Sequence, residues 1–306
     1  MSGGEPGALY GAIEAGGTKI VCGIGSADGS RETVRIPTGA ADATLGEVIA
    51  FFEAAIARHG PLSSVGIASF GPLDLDPSSP GYGSITSTPK PGWRGTDLLG
   101  RIGGALGVPA AIDTDVNAAA LAEARLGAGR GCATVAYATI GTGIGVGIAQ
   151  DGRLHHRGGH AEAGHLSLRR HPGHQGFAGI CPFHGDCLEG LASGPAIIAA
   201  CGQSLETLPT DHPGWAAEAD YLGQMCAALV LMLAPARIVL GGGVMSQQRL
   251  FGETRERTRH WLGGYIESLD SAEALDRLIV PPACREPSGL VGAYLLATDA
   301  AVAARA

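Results

Sequence analysis

Two segments of the chain share a pattern in which apolar and β-branched residues flank a pair of glycines. Residues 10–24 read as a strand, a tight turn at 16–17 and a returning strand, and residues 133–149 repeat this order around a turn at 141–143. β-branched residues favour strands, and glycines favour the tight turn between two of them. The pattern therefore predicts an antiparallel hairpin at the start of each half of the chain.

Alternating helices and strands follow each hairpin. Apolar residues with helical spacing predict helices, and short apolar runs predict buried strands. The predicted helices cover residues 45–57, 95–106, 117–126, 189–202, 214–233 and 247–263 and a last segment from Ser288, and the predicted strands cover 65–70, 110–112, 237–240 and 277–280. Two halves with the same order of elements predict an α/β protein of two related lobes with a cleft between them.

The domain limits follow from this alternation. We expect an N-terminal α/β lobe at residues 1–120 and a larger α/β lobe, with a metal-binding loop, at residues 121–289. The C-terminal helix, 290–306, is expected to pack back on the first lobe. A chain of 306 residues with 45% apolar content is long enough for two such domains.

Charge and hydropathy exclude two classes of partner. The formal net charge is −8 and the pI is near 5.7, whereas a nucleic-acid binder needs clustered Lys and Arg. No basic segment precedes an apolar one at the start, and Pro235 and Arg237 interrupt the longest apolar run, 226–240. We therefore expect a cytoplasmic protein that binds neither nucleic acid nor membrane.

Three glycine-rich blocks are candidates for phosphate binding, because bare backbone N–H groups in tight turns can point at an anion. A P-loop is excluded, because it needs a Gly-Lys-Ser/Thr step and neither lysine of the chain, Lys19 or Lys90, follows a glycine. A dinucleotide-binding fold is excluded because residues 146–149 continue as a strand. The candidate residues are Gly16, Gly17, Thr18 and Lys19, then Gly141, Thr142 and Gly143, and then Gly241, Gly242, Gly243, Val244 and Met245.

A Cys-x2-His-x2-Cys segment predicts a metal site. Cys181, His184 and Cys187 could supply three ligands from one tight turn, and the spacing suits a tetrahedral zinc ion. His165, His171 and His174 compete for the fourth position. A site with four protein ligands is closed, so zinc would be structural.

Four motifs in their order along the chain resemble the ROK family of sugar kinases. They lie at residues 14–19, 113–119, 141–145 and 162–165, and the resemblance runs from about residue 10 to 295. Residues 88–93 and 181–189 are similar to the fructokinase branch of the family. The resemblance implies two ribonuclease-H-like lobes of the actin/hexokinase type that clamp ATP with hairpin turns.

The resemblance also implies roles for single residues. Asp115 occupies the position of the general base, although Asp113 and Asp115 both lie where Asp commonly caps a helix. Glu14 stands where many family members have Asp, and its longer side chain can still face Mg²⁺ through water. Thr142 is expected to bind a phosphate oxygen, and the family correspondence selects His165 as the fourth zinc ligand. The residues expected at the sugar are Gly71, Thr88, Asn117, Glu162, His165 and Glu189.

The implied activity is the transfer of the γ-phosphoryl of MgATP to the 6-hydroxyl of a hexose, with D-fructose favoured. The implied cofactors are ATP, Mg²⁺ and a structural Zn²⁺, and the implied assembly is a homodimer. A broader hexokinase that acts on mannose or glucose is the alternative. A non-catalytic sugar-sensing protein is a remote alternative, because family repressors have a DNA-binding segment before the kinase-like part and about nine residues precede the first strand here.

Overall fold

The computed structural model describes residues 7–155 and 159–305. In these residues the chain forms two compact α/β units, which confirms the predicted fold class. The first unit takes in the described parts of Met1–Ala122, Arg153–His160 and Cys284–Ala306, and the second consists of Glu123–Gly152 and Ala161–Ala283. The limits at residues 120 and 289 stay predictions.

Strands and helices alternate along the described chain. The strands are β1 (Tyr10–Ala15), β2 (Lys19–Ser26), β3 (Gly29–Pro37), β4 (Ser64–Ser69), β5 (Ala110–Thr114), β6 (Thr134–Ile140), β7 (Ile144–Gln150), β8 (Arg153–Leu154), β9 (Arg237–Gly241) and β10 (Ile279–Val280). The helices are α1 (Ala41–His59), α2 (Leu98–Leu106), α3 (Asp115–Arg125), α4 (Leu188–Ala192), α5 (Gly194–Cys201), α6 (Gly214–Leu233), α7 (Arg249–Leu262), α8 (Ala272–Leu278) and α9 (Ser288–Ala303).

The two sheets have the same topology. Their strand orders are β3-β2-β1-β4-β5 and β8-β7-β6-β9-β10. In each sheet the first two strands of the sequence form an antiparallel hairpin, β1/β2 or β6/β7, and the first strand also pairs in parallel with a later one, β4 or β9. Both predicted hairpins are therefore confirmed, and the second sheet repeats the first.

Glycines let α9 approach its neighbours closely in the first unit. A Cβ at Gly66 of β4 would collide with the carbonyl oxygen of Ala293, and a Cβ at Gly292 would collide with the carbonyl oxygen of Ala118 in α3. Both obstacles are backbone atoms, which cannot rotate away. The last helix therefore packs against β4 and α3 at distances that only glycine permits.

Helix α6 lies in the core of the second unit. It is long and apolar enough to cross a membrane by length and composition, but 72% of its apolar window is buried inside the structure. It also carries two buried carboxyl groups. Asp220 accepts hydrogen bonds from the Arg257 guanidinium and from Trp261 Nε1, whereas one Glu218 carboxyl oxygen has no partner among the described residues. Helix α6 is therefore a core helix of a folded unit.

Two helix limits differ from the sequence prediction. The helix predicted over 95–106 begins at Leu98, because Gly95 has a φ of 77° and the Asp97 side chain caps the helix through the Gly100 N–H. The helix predicted over 189–202 is two helices, α4 and α5. Ser193 ends the first and caps the second, where its hydroxyl accepts the Ala196 N–H.

Two strands also differ from the prediction. Residues 277 and 278 end α8, so the strand predicted over 277–280 is limited to Ile279–Val280. The pattern did not predict β3. This strand pairs antiparallel with β2, and its side chains alternate between exposed and partly buried. Polar and charged residues on its exposed face hide the apolar repeat of a strand.

We expect Gly292→Ala to destabilise the protein by about 2–3 kcal/mol, because the added methyl group meets the Ala118 carbonyl oxygen in a packed interior. Gly46→Ala is the matched control. Gly46 is exposed in α1 and its Cβ would meet open space, so this change should stabilise by about 0.5–1 kcal/mol. Urea unfolding measures both. Equal effects of the two changes would contradict the close packing of α9.

We expect Glu218→Gln to flatten the dependence of stability on pH. Burial raises the pKa of Glu218 well above its usual value, so the folded protein keeps the proton while the unfolded chain releases it above its ordinary pKa of about 4.3. The folded state then binds more protons, and wild-type stability falls as pH rises, by up to about 1.4 kcal/mol per pH unit.

Urea unfolding between pH 5 and pH 8 measures this effect. The Gln variant should gain stability relative to wild type as the pH rises. Glu53→Gln, on the exposed face of α1, is the control for the loss of one carboxyl group. Parallel curves for wild type and Glu218→Gln would show that Glu218 is ionised in the folded protein.

Candidate active site and metal centre

The turn between β1 and β2 leaves two backbone donors open. The Gly16 N–H donates to the Lys19 carbonyl oxygen at 2.9 Å and closes the turn. The N–H groups of Gly17 and Thr18 donate to no described residue, and both residues are exposed. Thr38 holds the turn from outside: its N–H donates to the Thr18 carbonyl at 3.0 Å and its hydroxyl to the Gly16 carbonyl at 2.8 Å. Such a turn can bind an anion.

The turn between β6 and β7 has the same property. The Gly141 N–H donates to the Gly143 carbonyl oxygen at 2.9 Å, and the Gly194 N–H, at the start of α5, donates to the Gly141 carbonyl at 2.8 Å. The N–H groups of Thr142 and Gly143 donate to no described residue. Both predicted phosphate-binding hairpins therefore present open amides.

The third glycine block lies at the end of β9. Gly242 has a φ of 89°, and a Cβ there would collide with the Ile140 carbonyl oxygen, so the tight approach requires glycine. A 3₁₀ turn over Val244–Ser246 follows. A cavity of about 130 Å³ adjoins this block and is lined by Gly194, Ile197, Ile198, Ser204, Leu205, Glu206, Gly243, Val244, Ser246 and Gln247. Its apolar wall and bare backbone suit a flat aromatic group bearing phosphates.

The start of α3 holds two carboxylates in different environments. The cap of the helix is Thr114, whose hydroxyl oxygen accepts the Asn117 N–H at 3.2 Å. Asp113 is buried and accepts the Thr114 N–H and the Asn117 side-chain N–H, each at 2.7 Å. Asp115 is partly exposed and accepts the Val116 N–H at 2.9 Å. Thr114, and not Asp115, therefore caps the helix. The Asn117 side chain holds the Asp113 carboxylate in place.

Glu14 lies on β1, directly before the first turn. Burial raises its pKa and the nearby Lys19 ammonium lowers it. Its carboxyl group lies against Gly289 of α9, where a Cβ would come within 2.5 Å of Oε1. A bound cation would favour the ionised form of this carboxyl group.

Four potential metal ligands come together in the second unit. The ligand atoms of His165, Cys181, His184 and Cys187 all lie within 4.8 Å of one another. His165 Nδ1 is 3.4 Å from Cys187 Sγ and 3.8 Å from Cys181 Sγ, and Cys181 Sγ is 3.7 Å from His184 Nδ1. Nitrogen and sulfur ligands of one tetrahedral Zn²⁺ lie about 3.4–3.8 Å apart. The cluster is a zinc-binding His/Cys motif that fits a structural site.

Backbone pairing shapes the metal loop. Cys181 and Gly185 exchange two hydrogen bonds of 3.1 and 2.9 Å, and Gly185 adopts a φ of 66° that favours glycine. The Leu188 N–H donates to the Leu166 carbonyl at 2.9 Å, which joins the two ligand-bearing segments. Burial raises the pKa of the Cys187 thiol to about 11. A divalent cation reverses that preference, because the metal binds the thiolate.

The two competing histidines lie outside the cluster. The His171 ring accepts the Gly173 N–H at Nδ1 at 3.1 Å, and its backbone N–H donates to the Tyr221 hydroxyl at 3.2 Å. That hydroxyl lies 3.3 Å from His174 Nδ1. The His174 ring also contacts Phe177, with 5.8 Å between centroids. Burial lowers the pKa of His174, as do His171 and Arg170. These contacts occupy both side chains away from the predicted metal.

The acidic residues expected at the sugar have different surroundings. Glu189 Oε2 accepts the Ile144 N–H at 2.9 Å, directly after the second turn. Glu162 is exposed, and its carbonyl oxygen accepts the His165 N–H at 3.0 Å. Each carboxylate is thus two or three residues from a cluster ligand. Their contact with a sugar stays a prediction.

Gly71 and Thr88, which are also expected at the sugar, contact two residues that the sequence analysis did not assign to the site. Gly71 lies beside His160, whose Nε2 accepts the Leu73 N–H at 3.0 Å. The Thr88 hydroxyl oxygen accepts the Lys90 N–H at 3.2 Å. No local pattern marks His160, whereas Lys90 carries a signal in being one of only two lysines of the chain.

Two α/β units with the same strand order, each with an open hairpin turn, have the actin-like organisation of sugar-phosphorylating enzymes. The chain belongs to the ROK family, which it matches over residues 10–300.

Named relatives span nearly the whole chain. It is 41% identical over 293 residues to a fructokinase of Pediococcus pentosaceus, which covers 95% of this chain and 98% of the relative. It is 42% identical over 296 residues to a fructokinase of Zymomonas mobilis, with 95% and 97% covered. The crystal structure of a ROK hexokinase from Thermus thermophilus superposes with a TM-score of 0.74 at 28% identity, with 94% and 97% covered.

Proposed function

We propose that the protein is a fructokinase, which transfers the γ-phosphoryl group of MgATP to the 6-hydroxyl of D-fructose. The observation that carries this proposal is the similarity of nearly the whole chain to fructokinases at 41–42% identity. The open amides of both hairpin turns, the cavity beside Gly243 and the partly exposed Asp115 supply groups that such a reaction requires.

The phosphate-binding groups are the backbone amides of the turns. The N–H groups of Gly17, Thr18, Thr142 and Gly143 would donate to phosphate oxygens, and the Thr142 hydroxyl would add another donor. The remaining members of the three blocks, Gly16, Lys19, Gly141, Gly241, Gly242, Gly243, Val244 and Met245, would shape these turns and the nucleotide pocket. Mg²⁺, when bound, neutralises charge on the β- and γ-phosphates, and we assign Glu14 to face it.

The proposed general base is Asp115. Transfer of a phosphoryl group to an alcohol needs a group that accepts the hydroxyl proton, and a carboxylate suffices. Thr114 caps the helix and Asn117 braces Asp113. We assign the role of base to the partly exposed Asp115 carboxylate at the start of this helix. The backbone around Asp115 is held by hydrogen bonds, so the carboxylate would need little reorganisation when the reaction takes place.

The zinc cluster would position the sugar-side carboxylates. His165 follows Glu162 by three residues, and Glu189 follows Cys187 by two. A closed four-ligand site holds these segments together and activates no water. We assign Glu162 and Glu189 to the sugar hydroxyls. We also assign Gly71, Thr88 and Asn117 to sugar binding, and His165 to both the metal and the sugar.

The remaining assignments rest on the family. We propose a homodimer in the cytoplasm, where ATP and free sugar are both present. We also propose two domains: residues 1–120 together with 290–306 form the first, and residues 121–289 form the second. Gel filtration with light scattering measures the oligomeric state directly.

Asp115→Asn should lower kcat for fructose phosphorylation by about 10²–10⁴-fold, because the amide cannot accept the proton. Fructose should still bind, since the change keeps the side-chain shape. A coupled ADP-release assay with MgATP measures turnover on fructose, mannose and glucose, and calorimetry measures sugar binding. Asp42→Asn, an exposed carboxylate of α1, is the matched control.

The three sugars separate the proposal from its alternative. Fastest turnover of fructose supports a fructokinase, whereas preference for mannose or glucose would indicate a broader hexokinase. If no sugar is phosphorylated by zinc-loaded protein, the kinase proposal is wrong. Full activity of Asp115→Asn would reject the base assignment alone.

Cys187→Ser should remove the zinc and lower thermal stability. We expect about one zinc per chain in wild type and almost none in the variant, because the serine hydroxyl is a poor zinc ligand. Cys201→Ser is the matched control, because Cys201 lies outside the cluster. Elemental analysis and thermal melting measure both effects. An unchanged zinc content in Cys187→Ser would contradict the site.

A further inference from the structure

Lysine is confined to one neighbourhood of this protein. Of the 21 basic residues, two are lysines, Lys19 and Lys90, and the other 19 are arginines. Lys19 ends the turn between β1 and β2. Lys90 lies 73 residues beyond Gly17 along the chain, yet its Nζ donates a hydrogen bond of 2.6 Å to the Gly17 carbonyl oxygen of the same turn. Both ammonium groups of the chain thus belong to one predicted phosphate-binding turn.

The loop that carries Lys90 is anchored to the same segment as the turn. Trp93 is fully buried, and its Nε1–H donates to the Gly39 carbonyl at 2.9 Å. Thr38, the preceding residue, binds the turn through its N–H and hydroxyl. Residues 38–39 therefore fix the turn and the loop together, so the approach of Lys90 to Gly17 follows from the fold.

No carboxylate pairs with the Lys90 ammonium group in the described part of the chain. Lys90 forms no ion pair with any residue in 7–155 or 159–305, whereas seven arginines pair with carboxylates. An ammonium group has three donors, and the Gly17 carbonyl uses one of them. The open N–H groups of Gly17 and Thr18 lie on the same turn. A full positive charge and several unused donors therefore meet at one place.

We propose that Lys90 is a catalytic residue that binds the transferred phosphoryl group at the first turn. This inference rests on the proposed function. When phosphate occupies the turn, the ammonium group exchanges the Gly17 carbonyl for a phosphate oxygen. Lysine suits this position because its ammonium is a compact point charge on a flexible stem, whereas the planar guanidinium of arginine is a wide fork.

The charge acts at the transferring group. The sugar O6 forms a bond to the γ-phosphorus while the bond from that phosphorus to the bridging oxygen breaks, the hydroxyl proton passes to Asp115, and ADP leaves. Negative charge is spread over the three equatorial oxygens of the γ-phosphoryl group during this step. A cation held beside them stabilises the transition state more than the ground state.

Substitutions of Lys90 test the proposal. Lys90→Met removes charge and donors, and Lys90→Gln removes the charge but keeps a donor for the Gly17 carbonyl. Both should lower kcat by about 100-fold and change KM for fructose less than about twofold. Arg94→Met is the matched control, because it removes one exposed charge from the same loop and should leave kcat unchanged. Melting temperatures check that each variant folds.

A binding experiment gives a readout that needs no turnover. Calorimetry compares ADP with the non-hydrolysable analogue β,γ-imido-ATP, both with Mg²⁺. Wild type and Arg94→Met should bind β,γ-imido-ATP more tightly than ADP. In Lys90→Met and Lys90→Gln the ratio of the two affinities should be about tenfold smaller.

Each other outcome has a distinct meaning. Wild-type kcat in Lys90→Gln would show that Lys90 only ties the loop to the turn, and a raised KM for fructose at unchanged kcat would make it a sugar ligand. Either result overturns the proposal. If the wild type phosphorylates no sugar, the proposed function fails, and the nucleotide titration alone decides whether Lys90 binds the terminal phosphate.

Discussion

Each sheet contains a hairpin turn whose central N–H groups donate to no residue that the structure describes. Hydrogen bonds within a turn normally use up such donors, so these turns have to be held from outside. In the first turn, Thr38 donates hydrogen bonds to the carbonyl oxygens of Gly16 and Thr18. In the second turn, the Gly194 N–H donates to the carbonyl oxygen of Gly141. Because the restraints act on carbonyl groups, the N–H groups of both turns remain open in a fixed orientation, and the cost of ordering them is met during folding.

The metal cluster reaches the second turn through a short chain of contacts. Cys187 precedes α4, and Glu189 in its first turn accepts the Ile144 N–H, directly after Gly143. A Cβ at Gly143 would come within 2.6 Å of Glu189 Oε2, so glycine also makes room for this carboxylate. The cluster therefore does more than close a loop that has few apolar residues. Its ligand Cys187 lies at the start of the helix whose carboxylate braces the second turn, so the metal loop and this turn are directly connected.

The sequence predicted the elements whose signals are local. Both hairpins carry their glycines at the turn, and the strand-to-helix junction located Asp115. The sequence did not show which residue caps α3, because Asp113, Thr114 and Asp115 can all cap a helix. The hydrogen bond from the Asn117 N–H to the Thr114 hydroxyl identifies Thr114 as the cap. Strand β3 was missed because polar residues on its exposed face hide the repeat. The bond from Lys90 to Gly17 joins distant parts of the chain, and no local pattern encodes it.

The net charge of −8 opposes the approach of an anionic nucleotide at long range. Salt screens exposed charges over about 8–10 Å, however, so the total charge has little influence at a turn that carries its own donors. Local groups decide the sign there. Open amides contribute fixed partial charges, and Lys90, which forms no ion pair in the described part of the chain, adds a full one. Seven arginines elsewhere in the described chain pair with carboxylates, which offsets part of their charge. A protein of acidic composition can thus still present positive charge and open donors at the first turn.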